Sequence, residues 1–288
     1  AIACYLAALQ YCTSEKAPLE CSGIQNNLGN AYSKLPVGDR TQNLQNAISS
    51  YRAALQNRTP DKVPMYYAET LNNLGNAYSE MPTGDRTANL KQAIACYEEA
   101  LKYRTPEKAP LEYSMTQNNL GAAYSMLPTG DRTANLEQAI ACYEEAIKFR
   151  TPERAPMDYA ATQNNLGLAY NDLSNGNQTQ YLQKAIACFR VALQHRTPQN
   201  GPLEYAATQN NLGNAYLKLS TGDRTQNLQN AIACYRVALQ YRTPEKTPMG
   251  YAETQNGLGA AYEKLSAGDR TQNLQNAIAS YQAALTEY

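Results

Sequence analysis

The sequence predicts an all-α fold, a solenoid of stacked antiparallel helix pairs with about 13 helices, and three observations predict it. The string NNLG, or NGLG in its last copy, returns at Asn26, Asn72, Asn118, Asn164, Asn210 and Asn256, always 46 residues apart. A period of that length marks an array whose units bury their apolar faces against one another. Each unit holds two apolar stripes at helical spacing, separated by turns containing Pro and Gly. Nowhere does the chain alternate apolar and polar residues over a useful strand length. Six full units fill 1–46, 47–92, 93–138, 139–184, 185–230 and 231–276, and 277–288 restarts the unit, so 1–288 reads as a single repeat array.

The second unit illustrates the elements in order. Its first helix runs from Pro64 to about Met81, with Tyr67, Leu71, Leu74, Tyr78 and Met81 on one stripe. Pro64 suits a first helical turn, where a missing N–H costs nothing. Pro82 and Gly84 in PTGDRT stop the helix, and either Asp85 or Thr87 caps the next one. That helix carries Leu90, Ala93, Ile94, Tyr97, Ala100 and Leu101 and ends near Tyr103–Arg104. Thr105–Pro106–Glu107 then reads as a cap and a first-turn proline opening one short helical turn.

Composition narrows the function classes. The 25 basic and 25 acidic residues balance, whereas a chain that tracks nucleic acid or an anionic membrane carries a basic excess. No apolar run approaches the ~20 residues that span a bilayer, and no signal-peptide order is present. The opening AIACYLAALQ matches the interior of a repeat and lacks an initiator Met, so the chain reads as a piece of a longer protein. Tyrosine is abundant, 23 against 2 Phe and no Trp, and reads as core packing; base stacking would need exposed rings beside a basic groove. Cys4, Cys96, Cys142, Cys188 and Cys234 share one register and read as small buried thiols of a reducing compartment. Cys12 and Cys21 replace the Arg and Tyr of other units, and a pairing across the first loop is only the minor alternative for them.

With these residues in view, the unit resembles the tetratricopeptide repeat, which reads W-x2-L-G-x2-Y in its first helix and A-x3-F in its second. Leu74–Gly75 with Tyr78 fits the first pattern and Ala93 with Tyr97 the second; Leu28–Gly29–Tyr32, Leu120–Gly121–Tyr124, Leu166–Gly167–Tyr170, Leu212–Gly213–Tyr216 and Leu258–Gly259–Tyr262 repeat the first. Two departures stand out. The Trp position holds Gln25, Leu71, Gln117, Gln163, Gln209 and Gln255, and the unit is 46 residues where the standard repeat has about 34. The unit is similar to the long repeats of kinesin light chain, and closer still to bacterial arrays rich in NNLG and GDR, often fused to a caspase-like protease domain or a signalling NTPase. The resemblance implies a right-handed superhelix whose first helices line a concave, peptide-binding face. Gly75 and its equivalents would let the paired helices approach, with Tyr78 and Tyr97 filling the core between them.

The paired asparagines are costly. Eleven of them inside helices forgo about 5–6 kcal/mol of helix propensity, comparable to a small domain's net stability. At ~100° per residue with Leu74 as zero, Asn72 lies near 160° and Asn76 near 200°, opposite the apolar stripe, and Asn73 lies on the flank. By this count the first row, Asn26, Asn72, Asn118, Asn164, Asn210 and Asn256, faces outward. Asn30, Asn76 and Asn214 extend it, while Ala122, Leu168 and Ala260 interrupt it. Two roles stay open. The flank row, Asn27, Asn73, Asn119, Asn165 and Asn211, suits bonding between successive first helices. The outward row suits gripping the backbone of an extended peptide, a role the resemblance supports, since groove asparagines of such arrays contact ligand backbone. Variable residues beside it (Glu69, Met115, Ala161, Ala207 and Glu253; Lys34, Glu80, Met126, Asp172 and Lys218) would then select side chains.

The GDR turns pair Asp39–Arg40, Asp85–Arg86, Asp131–Arg132, Asp223–Arg224 and Asp269–Arg270 and read as loop caps, or as a recognition rim broken at Gly176–Asn177–Gln178. Arg58, Arg104, Arg150, Arg196 and Arg242 close the second helices, where cations suit the helix dipole. The single histidine, His195, sits in a register of Tyr11, Tyr103, Phe149 and Tyr241 and reads as packing. No P-loop, GxGxxG, paired catalytic carboxylates or metal-ligand spacing appears, so no catalytic, metal or cofactor site is expected and the chain is not read as an enzyme. The expectation is a cytoplasmic interaction scaffold for a protein or peptide, with no nucleic-acid or membrane partner. The alternative is a structural element whose apolar ends associate end to end.

Overall fold

A computed structural model describes residues 1–12, 16–173 and 178–286. Among the described residues there are thirteen α-helices and no strand. They are α1 (Ile2–Tyr11), α2 (Pro18–Ser33), α3 (Arg40–Leu55), α4 (Pro64–Glu80), α5 (Arg86–Leu101), α6 (Pro110–Met126) and α7 (Arg132–Ile147). There follow α8 (Pro156–Asp172), α9 (Gln178–His195), α10 (Pro202–Lys218), α11 (Arg224–Leu239), α12 (Pro248–Lys264) and α13 (Arg270–Leu285). The chain divides into two compact units, Ala1–Phe149 and Arg150–Tyr288. In the first, α1 lies on α2, and the pairs α2–α3, α4–α5 and α6–α7 stack through α3 on α4 and α5 on α6. In the second, the pairs α8–α9, α10–α11 and α12–α13 stack through α9 on α10 and α11 on α12. Successive first helices, such as α2 and α4 or α10 and α12, also touch.

Each first helix from α2 onward opens with proline in its first turn. The turn between paired helices needs Gly84, whose φ of 81° lies in the left-handed region, and Gly38, Gly130, Gly222 and Gly268 repeat it. Asp85, not Thr87, caps α5: its Oδ1 accepts the N–H groups of Thr87 (2.8 Å) and Ala88 (3.2 Å). Arg86 does not pair with its Asp neighbour. Its Nη1 donates to the Ser79 carbonyl at 2.5 Å, closing the preceding helix, while Asn89 Nδ2 donates to the Thr83 carbonyl at 3.1 Å. One GDR turn therefore caps two helices. In the fourth turn Gly176 and Asn177 lie outside the described residues, and α9 begins at Gln178. Thr105–Pro106–Glu107 forms a single turn closed by Ala109 N–H on the Thr105 carbonyl at 2.9 Å.

The core of a pair is a tyrosine laid on a glycine. A Cβ on Gly75 would come 2.6 Å from Tyr97 Cε1, and Tyr97 is 1% exposed. Gly29 with Tyr51, Gly121 with Tyr143, Gly167 with Phe189 and Gly213 with Tyr235 repeat the contact. His195 meets Tyr159 edge to face, as Tyr103 meets Tyr67 and Tyr241 meets Tyr205. Where the resemblance lost its Trp, Gln117, Gln163, Gln209 and Gln255 donate to the tyrosine hydroxyl one turn earlier.

Cys96 and Cys142 are buried, Cys188 and Cys234 half-buried, and Cys4 is exposed on α1, so burial does not extend along the whole register. Cys12 and Cys21 form a disulfide.

Candidate functional site

The first helices carry the site, and they place the asparagines differently from the angular count. Asn26 and Asn72 are each 1% exposed and Asn210 0%; Asn164 is also buried, Asn118 is half-buried, and Asn256 alone is exposed. The count failed because it assumed one buried face. In a stack, a first helix meets its own pair partner, the preceding second helix and the next first helix, so the side opposite Leu74 is covered as well. On α4 that side holds Asn72, which is buried. Asn256 on α12 is exposed because no further first helix lies against it.

These asparagines belong to a polar junction built from three residue types. Arg58, at the end of α3, donates through Nη1 to Thr70 Oγ1 on α4 at 2.8 Å. The Thr70 hydroxyl lies 3.2 Å from Asn26 Oδ1 on α2, and Asn73 Nδ2 donates to that same oxygen at 3.4 Å. One repeat on, Arg104 meets Thr116 at 3.0 Å, Thr116 meets Asn72 Oδ1 at 3.2 Å, and Asn119 Nδ2 reaches that oxygen at 3.3 Å. In the second unit Arg196 meets Thr208 and Asn211 donates to Asn164 Oδ1 at 3.1 Å. Arg58 and Arg104 are therefore buried ties between repeats, and Arg196 is a half-buried one. Burial pulls the pKa values of Arg104, Arg150 and Arg196 below the ordinary guanidinium value, against the fields of Glu112, Asp158 and Glu204 respectively. The sequence held a signal for this tie: an Arg and a Thr twelve residues apart in five units, with Cys12 and Ile24 replacing both at once in the first. Gly257 stands where the flank asparagine would be, and Asn210 Oδ1 is buried without a partner as a result.

Asn30, Asn76 and Asn214 are half-buried and differently oriented. The Tyr51 hydroxyl donates to Asn30 Oδ1 at 2.8 Å, Tyr97 to Asn76 Oδ1 at 2.7 Å, and Tyr235 to Asn214 Oδ1 at 2.6 Å. Burial pushes the Tyr51 hydroxyl up to about 12 and the other two further in the same direction, so all three remain donors at neutral pH. With its oxygen pinned, each amide turns Nδ2 away from the tyrosine. In the first unit Asn30, Asn73 and Asn76 line a groove of about 340 Å³, with Lys34, Glu80 and Met115 at its sides. Asn119 and Asn165 are half-buried like Asn73 and Asn211, and Asn27 is exposed. Among the described residues no helix is long and apolar enough to cross a membrane, and no group of three or more His, Cys, Asp or Glu side chains is placed to hold a metal ion.

No family model and no curated protein matches the sequence. Solved structures do. BtubC (BKLC) from P. vanneervenii is 18% identical over 86% of this chain and 89% of its own, with a TM-score of 0.59. A circular tandem repeat protein with a novel repeat topology is 14% identical over 99% of this chain and 76% of its own, with a TM-score of 0.40. The first likeness shows the fold, a helical repeat array.

Proposed function

We propose that the chain is a long-repeat, tetratricopeptide-like scaffold whose first helices bind an extended peptide through its backbone. The observation that carries this reading is the pinned amide. Asn30 and Asn76 spend their oxygens on tyrosine hydroxyls and keep Nδ2 donors at the groove of the first unit. Backbone carbonyls of an extended peptide recur at regular intervals and seek such donors. The first-row asparagines take a supporting role, holding the helices that present these amides. We place the scaffold in the cytoplasm on the reading of the repeat cysteines, which lie outside the Cys12–Cys21 disulfide, as thiols.

The test replaces donors without disturbing the pins. Asn30→Asp with Asn76→Asp keeps the oxygens for Tyr51 and Tyr97 and removes the N–H groups. Selection from a displayed library of random peptides is expected to enrich binders on the wild type and to lose them on the double variant, with the melting temperature unchanged. Equal enrichment on both proteins would overturn the reading.

A further inference from the structure

The junction between α2 and α4 departs from the others in three registers at once. Gly23 stands where the other units hold Glu69, Met115, Ala161, Ala207 and Glu253, so the first unit alone has no side chain there. Val63 stands where they hold Ala17, Ala109, Ala155, Gly201 and Thr247, and Tyr66 where they hold Glu20, Glu112, Asp158, Glu204 and Gly250. The three meet around one cavity. It measures about 340 Å³ and lies where α2 and α4 begin, walled by Leu19, Gly23, Val63 and Tyr66, with Arg58 and Glu20 as its charged residues. None of these residues lines the groove of Asn30 and Asn76, so the cavity is a separate site. Helix packing does not account for Gly23. Gly29, Gly75 and Gly121 each lie under an aromatic ring that a Cβ would meet within 2.9 Å. A Cβ on Gly23 would meet nothing nearer than Arg58 Nη2, at 3.8 Å. Glycine inside a helix is costly relative to alanine, and what that cost opens here is the cavity.

The lining defines the ligand. Leu19, Val63 and the Tyr66 ring make the walls apolar, as in most small-ligand sites, and the Arg58 guanidinium steadies that ring from 5.1 Å above its centroid. The acceptors that Arg58 meets gather at Nη1: Thr70 Oγ1 at 2.8 Å, with the Tyr66 carbonyl and Glu69 Oε2 at 3.3 Å. Nη2 turns to the cavity at Gly23. Glu69 already meets the charge of Arg58 and Glu20 adds a second carboxylate at the cavity, so an anion is disfavoured there. A neutral group that accepts from a guanidinium and donates to a carboxylate is favoured, and a phenol is an apolar ring carrying such a group. The same unit pairs its own phenols in both ways. Arg52 Nη2 donates to the Tyr78 hydroxyl at 2.5 Å, and the Tyr124 hydroxyl donates to Glu98 Oε1 at 2.7 Å. From this we infer that the Gly23 cavity binds a phenol ring, its hydroxyl accepting from Arg58 Nη2 and donating to Glu20. The tyrosine side chain of a partner protein and a free small phenol share that chemistry, and the inference does not rest on the peptide grip.

Titration of p-cresol into the labelled full chain, followed at the Gly23 amide and the Val63 methyl groups, tests it. Saturable shifts are expected in the wild type. Toluene, which lacks the hydroxyl, is expected to bind about tenfold more weakly, the scale of one hydrogen bond to a charged group. Glu20→Ala should weaken p-cresol severalfold and leave toluene unchanged. Gly23→Met puts into the cavity the side chain that the third unit carries at Met115, and is expected to abolish binding. Gly23→Ala should raise the unfolding midpoint, where Gly75→Ala lowers it, because its Cβ has room. The inference is overturned by an absence of saturable shifts in the wild type, by equal affinity for toluene and p-cresol, or by binding that survives Gly23→Met. A lowered midpoint for Gly23→Ala also overturns it, since the glycine would then be a packing requirement. N-acetyl-tyrosine amide decides the source: affinity matching p-cresol assigns the cavity to a partner's tyrosine, and loss of binding assigns it to a free phenol.

Discussion

The junction between α1 and α2 and the junction between α5 and α6 solve one problem in two ways. At the second, Arg104 is 3% exposed and ties to Thr116 and through it to Asn72. At the first, the Arg register holds Cys12, the Thr register holds Ile24, and a disulfide from Cys12 to Cys21 joins the helices. Arg and Thr leave together because each is costly without the other. A buried threonine hydroxyl or guanidinium stripped of its partner retains its desolvation cost, whereas an apolar pair avoids it.

Mutations can break or sharpen this comparison. Arg104→Ala should cost about 3 kcal/mol of unfolding free energy, since it empties a packed site and removes the guanidinium donor from Thr116. Arg104→Met with Thr116→Val imitates the apolar choice of the first junction and should recover most of that loss, to within about 1.5 kcal/mol of wild type by denaturant titration. Reducing the Cys12–Cys21 bridge, which closes a sequence separation of 9, should release α1 at a cost of about 2.5 kcal/mol on the chain-entropy model, seen as faster amide exchange in α1 alone. Gly75→Ala should cost about 2 kcal/mol, because the new Cβ would stand 2.6 Å from the Tyr97 ring. At the low end, Asn72→Ala should cost about 1–2 kcal/mol and Asn256→Ala within about 0.5 kcal/mol of nothing.

The repeat, the helix bounds and the Gly75–Tyr97 contact were legible in the sequence because each is local or recurs at a fixed period. The Asp85 cap needed only a choice between two neighbours. The direction of Asn72 was not legible. A helical wheel centred on Leu74 knows the stripe that faces the pair partner and is blind to the helix stacked against the opposite side. The pairing of Asn30 and Asn76 with tyrosine hydroxyls 21 residues away was likewise hidden, since it depends on how closely Gly29 and Gly75 let the two helices approach. The Arg–Thr tie lay in view, and its joint absence beside Cys12 was the strongest hint of contact.

The claim that one residue type serves two purposes in one motif is tested most directly by comparing the unfolding midpoints of Asn72→Ala and Asn256→Ala. Both remove the same side chain from the same register, one buried between first helices and one exposed. A clear drop for Asn72→Ala beside an unchanged midpoint for Asn256→Ala is the expected result. Equal midpoints would contradict the junction role and return the first row to the outward face.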